Sequence, residues 1–168
     1  MNKKISNLAV SKKNVLFLFD FDGTLLEAKY DKDTILGCSN DECDVLKRDL
    51  EKNIYVGVKP IKKIQILIDL LNQNNKSVKV LSKIHNSMQV LNKIEYLNKE
   101  YPSISKNDFI GVVEYEHKTA ILEYYSNIYD EVVYIDDHLD TLIQIENNLA
   151  NKNNINCFHI SSLFIDNN

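Results

Sequence analysis

Short apolar runs punctuate the chain at Val15–Phe19, Val78–Leu81, Phe109–Val113, Val132–Ile135 and Asn156–Ile160. Most are continuous rather than alternating, as in strands buried on both faces of a sheet. Between them the period changes. Ile61, Ile64, Leu67, Ile68 and Leu71 follow Pro60 at helical spacing, which predicts a helix with that proline in its first position. Val90, Leu91, Ile94 and Leu97 predict a second helix, stopped near Pro102. Ile121, Leu122 and Tyr125 make a third apolar stripe, and Leu139, Leu142, Ile143 and Leu149 a fourth. Alternation of this kind implies right-handed crossovers and an α/β fold, a doubly wound and mainly parallel sheet with helices on both faces.

One stretch breaks the rhythm. Residues 27–58 are polar, charge-rich and weakly periodic, with a short helix expected near Asp41–Lys52. At about 30 residues the stretch is too long for an ordinary βα connection, so it reads as a small lid or cap inserted in one domain spanning 1–168. The formal charge of −4 supplies no general reason to bind nucleic acid or an acidic membrane. Cys38, Cys43 and Cys157 form no CxxC pair, which argues against a disulfide framework and a cysteine zinc site. The basic N-terminus lacks the apolar block of a secretion signal, and no apolar run approaches the roughly 20 residues of a membrane span. The expected setting is the cytoplasm.

The chemistry sits where strands end. Asp20 and Asp22 follow the first run, Ser82 closes the second in VKVLS, and Asp136 and Asp137 close a later one in VVYIDD. In open α/β sheets, ligands bind beyond the carboxyl ends of the strands. Four carboxylates gathered there drive one another's pKa upward unless a counter-charge intervenes. Mg²⁺ suits an all-oxygen set, and it prefers one or two carboxylates completed by water and phosphate oxygens. A phosphorylated substrate is therefore expected alongside the metal.

These motifs resemble those of the haloacid dehalogenase (HAD) superfamily, specifically its aspartate-nucleophile phosphatases, whose core is Rossmann-like. The family's DxDG[TV] stands as DFDGT at 20–24, its strand-ending Ser/Thr as Ser82, its helix-opening lysine as Lys118, and its paired acids as Asp136 and Asp137, with Asp140 shortly after. The resemblance implies that Asp20 is the nucleophile and Asp22 the acid/base. It implies Mg²⁺ on Asp20, on the carbonyl of Asp22 and on Asp136, supported by Asp137 and Asp140. Ser82 and Lys118 would hold the phosphoryl oxygens, helped by backbone amides around Phe21 and Gly23. Lys93 is the rival lysine. The stretch from Leu81 through Lys93 is similar to the 5′(3′)-deoxyribonucleotidases, which implies phosphate contact from that place; the plainer reading of Lys93 is a solvated helix lysine.

Plain alternatives stand beside these roles. Asp137 could cap the next helix, and Asp140 could be first-turn helix charge. His85, His117, His138 and His159 lack ligand spacing and read as structural or surface residues, and the tyrosines read as core or interface. The expected enzyme is a Mg²⁺-dependent phosphomonoester hydrolase, with phosphotransfer to another acceptor as a close relative. The interval from Ser82 to Lys118 leaves no room for a large cap, so the site is partly open. That favours a bulky phosphoester, or closure by a second subunit, while the nucleotidase-like features favour a nucleotide. A phospho-accepting signalling module or a binding module of the same fold is the competing reading. In receiver domains, however, the acidic pair comes first rather than last.

Overall fold

The first strand, β1 (Val15–Phe19), is buried at every position. That is possible only at the centre of a sheet covered on both faces. In the computed structural model, which describes residues 1–27, 30–31, 34–35 and 53–164, β1 occupies that place. Residues 30–31 (β2) and 34–35 (β3) form a small antiparallel pair. The main sheet adds β4 (Ser77–Lys83), β5 (Phe109–Val112), β6 (Glu131–Asp136) and β7 (Ile155–His159) in the order β5-β4-β1-β6-β7. All its pairings are parallel. The α/β class and doubly wound parallel sheet expected from the apolar runs are therefore present.

Alternate residues of β1 serve different layers, as strand geometry requires. Val15, Phe17 and Phe19 face a layer formed by α1 (Lys3–Val10), α2 (Lys62–Gln73) and α3 (Ser87–Glu100). Leu16 and Leu18 face α4 (Tyr115–Ser126) and α5 (Leu139–Asn148) through Leu122, Leu142, Ile145 and Leu149. Because the chain leaves β1 for β4 on one side and later pairs β6 on the other, the carboxyl end of β1 is the point where the strand order reverses. Ligands favour such a switch point.

Several expectations shift. Helix α1 was not signalled by the apolar pattern, yet Ile5, Leu8 and Ala9 are buried. Pro60 lies before the N-cap Ile61 of α2, in a bridge with Leu26, where its missing N–H is not needed. Helix α3 turns a different face inward: Gln89, Asn92, Lys93, Tyr96 and Leu97 are buried, while Leu91 is 60% exposed. In α5, Thr141, Leu142 and Ile145 point inward, while Leu139 and Ile143 are exposed. Both helices place polar residues toward the rim of the sheet, so an apolar stripe misreads their orientation. The short helix expected near Asp41–Lys52, and most of the 27–58 insertion, lie outside the described residues. At the end of that stretch Ile54, Tyr55 and Val58 pack into the core. Among the described residues no helix is long and apolar enough to cross a membrane.

Phe17 has no solvent exposure and pairs in register with Val78 and Val133. Phe17→Ala should lower the unfolding free energy by about 3–5 kcal/mol. Urea titration followed by circular dichroism checks this, and a loss under about 1 kcal/mol would contradict β1 as the packed centre.

Candidate active site

Immediately past β1 the chain turns from apolar to acidic. The Asp20 amide donates to the Ile135 carbonyl at 2.8 Å, so Asp20 stays anchored to β6 at the sheet's rim. Asp136, the last residue of β6, is 1% exposed and hydrogen-bonded on both oxygens. Oδ1 accepts from the His138 amide at 2.7 Å; Oδ2 accepts from the Tyr134 hydroxyl at 2.5 Å and from Lys118 Nζ at 3.0 Å. Lys118, buried on α4, also donates to Asp20 Oδ1 at 2.7 Å and so joins the ends of two strands. Asp137 closes the group. Carboxylate oxygens of Asp20, Asp136 and Asp137 all lie within 4.8 Å of one another.

A second cluster sits beside the first. Lys93, fully buried on α3, donates to Asp22 Oδ2 at 2.6 Å, Ser82 Oγ at 2.8 Å and the Lys83 carbonyl at 2.9 Å. Its ammonium lies 5.0 Å from the centre of the Phe21 ring, which meets the Tyr55 and Tyr96 rings edge-on. Asp22 Oδ1 is buried with no partner among the described residues. Between the clusters opens a cavity of about 110 Å³, lined by Asp20, Asp22, Ser82, Lys118, Asp136 and Asp137 among others.

The bend after β1 depends on Gly23. Its φ is +71°, and a Cβ there would lie 2.1 Å from Asp137 Oδ2. Glycine alone takes this conformation cheaply and lets the two loops close together.

Charge in this space is unbalanced. Burial pushes the Asp20 carboxyl up to about 7; Lys118 pulls it back, while Asp136 and Asp22 raise it further. Burial also raises Asp137, with Asp136 adding to it. Lys118 moves up as well: Asp20 and Asp136 outweigh the burial that would lower it. An upward shift on both partners of one ion pair means that a single ammonium is shared among too many carboxylates. Four acids face three lysines here, Lys93 and Lys118 in direct contact and Lys83 on the cavity lining, leaving a formal excess of one negative charge. An all-oxygen donor set with that excess fits a hard dication such as Mg²⁺.

Of the residues expected at a site, Asp20, Asp22, Ser82, Lys118, Asp136 and Asp137 line the one cavity, and Lys93 reaches its wall. The Phe21 side chain is buried in the core, and Gly23 shapes the turn. Asp140 is not brought in: it is exposed on the first turn of α5, where an acid complements the helix N-terminus. The Asp22 carboxylate does not join the acidic trio; it is tied to Lys93 instead. Sequence reasoning missed Tyr115, Lys83, Gln89, His85 and His138, which line the cavity, and Tyr134, which holds Asp136. His138 directly follows the acidic pair and caps α5, a position that could have signalled it. Nothing in the local pattern marks Tyr115, whose ring stacks on His138.

No family model matches the chain, and no curated protein matches it. Among solved structures it is similar to the HAD domain of effector protein Lem4 from Legionella pneumophila, an inactive mutant. The two are 15% identical, the match covers 88% of this chain and 84% of that one, and the TM-score is 0.49.

Gly23→Ala should cost about 1–2 kcal/mol for its left-handed backbone and displace the Asp137 carboxylate. Mg²⁺ affinity, read by calorimetric titration, should then fall by about tenfold or more; unchanged affinity would separate Asp137 from the metal. A second prediction concerns pH. The folded chain holds a proton on Asp20 between its ordinary value of 3.8 and about 7, where the unfolded chain does not. That stabilisation is complete below the lower value and is lost as pH rises through the upper one. Without divalent cation, wild type should therefore lose melting temperature across this window relative to Asp20→Asn, and added Mg²⁺ should restore it above pH 7. Parallel pH curves for the two proteins would contradict the raised carboxyl.

Proposed function

We propose that the chain is a Mg²⁺-dependent phosphomonoester hydrolase of HAD type, working through an aspartyl-phosphate on Asp20. One observation carries this reading: the Asp20 carboxylate shares a small cavity with the Asp136 and Asp137 carboxylates, against a lysine that engages two acids and, among the described residues, keeps a donor free. An ammonium has three N–H groups, and Lys118 uses two of them on Asp20 and Asp136.

Asp20, Asp136, Asp137 and the Asp22 carbonyl would hold the metal, which when bound offsets phosphate charge and lets an anionic carboxylate approach an anionic phosphoryl group. The remaining work falls to side chains. An Asp20 oxygen bonds to phosphorus as the bond from phosphorus to the leaving oxygen breaks. Asp22 gives its proton to that oxygen. A water then attacks phosphorus, Asp22 takes a proton back, and the bond to Asp20 breaks to release inorganic phosphate. Ser82 and Lys118 would donate to phosphoryl oxygens, on which charge builds in the transition state.

The substrate class is a phosphomonoester, either a nucleotide or a bulkier phosphorylated molecule. Tyr115 and His138, stacked at a centroid separation of 6.0 Å, line the cavity and are placed to contact whatever the phosphoryl group is attached to.

The decisive assay is phosphate release across nucleoside monophosphates, sugar phosphates, phosphopeptides and phosphorylated oligonucleotide ends. Turnover should require Mg²⁺ and fall by roughly a thousandfold or more in Asp20→Asn. A phosphorylated Asp20 that accumulates without turnover would instead favour a signalling module. Bound Mg²⁺ with no Asp20-dependent reaction on any substrate would favour a binding module.

A further inference from the structure

The two buried lysines are engaged differently. Among the described residues Lys118 keeps one donor for a ligand, whereas Lys93 has none to spare: its three N–H groups are taken by Asp22 Oδ2, Ser82 Oγ and the Lys83 carbonyl. We propose that Lys93 is a positioning residue rather than a phosphate ligand, fixing Asp22 and Ser82 in one grip. The inference rests on the hydrolase reading above and assigns this lysine its part in it.

The geometry explains both contacts. Lys93 binds Asp22 through Oδ2, which leaves Oδ1, without a partner among the described residues, as the oxygen through which Asp22 would exchange a proton with the leaving oxygen or with water. On Ser82 it donates into an Oγ lone pair. The serine's own hydrogen has only a long 3.3 Å contact with the neighbouring Lys83 carbonyl and is free to swing toward a phosphoryl oxygen. One ammonium thus sets the acid on one side of the reacting phosphorus and a donor on another. Stability alone gives little reason for the arrangement, because buried ion pairs can often be replaced by apolar residues without loss. Even so, α3 directs Gln89, Asn92 and Lys93 inward while leaving Leu91 in solvent. The Phe21 and Tyr55 rings, 5.0 and 6.0 Å from the ammonium, seal it from water without competing for its donors.

The reaction itself separates positioning from phosphate binding. As the Asp20 oxygen bonds to phosphorus, an alkoxide leaving group must receive the Asp22 proton, whereas p-nitrophenolate departs without one. In Lys93→Met, kcat should fall by about a hundredfold or more on glycerol 2-phosphate but by less than about tenfold on p-nitrophenyl phosphate, with KM nearly unchanged for both. Lys93→Met combined with Asp22→Asn should be worse than Asp22→Asn alone by no more than the fall of under about tenfold expected on p-nitrophenyl phosphate, the share that acts through Ser82, since the proton transfer is already lost. A rise in KM of equal size for both substrates, or losses that multiply in the double variant, would make Lys93 an independent phosphate ligand and overturn the proposal. An equal fall in kcat on both substrates would reduce Lys93 to a structural role. Absence of Asp20-dependent turnover in wild type would instead overturn the hydrolase reading itself.

A readout independent of activity covers the case in which Lys93→Met fails to fold. With ¹⁵N-labelled lysine, wild type should show a slowly exchanging ammonium resonance that is lost or shifted in Asp22→Asn. A lysine spectrum indifferent to Asp22→Asn would show that the grip does not exist in solution.

Discussion

Electrostatic repulsion is the constraint from which the candidate site follows. Asp20, Asp22, Asp136 and Asp137 converge at the rim of a sheet whose strands are otherwise apolar. Carboxylates this close stay ionised together only with cations among them. The protein supplies part of that charge from two helices on opposite faces. Lys118 on α4 joins Asp20 to Asp136, and Lys93 on α3 holds Asp22. Only the second pairing is self-balancing. The first leaves Asp20 and Asp137 raised, and that residual imbalance is the physical case for a divalent cation.

Rigidity comes from what lies beneath. β1 is the strand at which the order of the sheet reverses, with β4 on one side and β6 on the other, and its five apolar side chains pin both helical layers. Asp20 is therefore carried by a strand buried at every position. Asp136 is carried by the strand beside it, with each oxygen accepting at least one hydrogen bond. A site built on such elements keeps its groups in place, which electrostatic catalysis requires. The turn at Gly23 is the compact link between them, and it brings Asp137 as near as it is only because no side chain stands at position 23.

The proposed chemistry divides labour between the two lysines, and the division has a geometric basis. A lysine with a donor to spare can meet a ligand; one whose donors are all engaged can only hold its neighbours. The helices that carry them accept a polar inner stripe to do so. That stripe is why α3 exposes Leu91, a residue that would otherwise be expected in the core.

Much of this was legible in the sequence because strands buried on both faces are nearly continuous apolar runs. Each of the five main strands lies where such a run does, and Asp20, Asp22, Ser82, Asp136 and Asp137 all stand at strand ends, where parallel sheets expose their chemistry. Helix orientation was less legible. Gln89, Asn92 and Lys93 are polar and read as a solvated face until tertiary packing supplies their partners: Tyr55, His85, Ser82 and Asp22 lie far from them along the chain or across a loop. Tyr134 and Tyr115 were hidden for the same reason, and Asp140 was overvalued because nearness in sequence to an acidic pair says nothing about the direction a helix turns it. The sequence alone determined the strands, the layers and the acids at the rim, since burial and strand ends are local properties. Only the tertiary structure decided which lysine meets which acid, because hydrogen-bond donors are assigned by distances between segments that chain order does not encode.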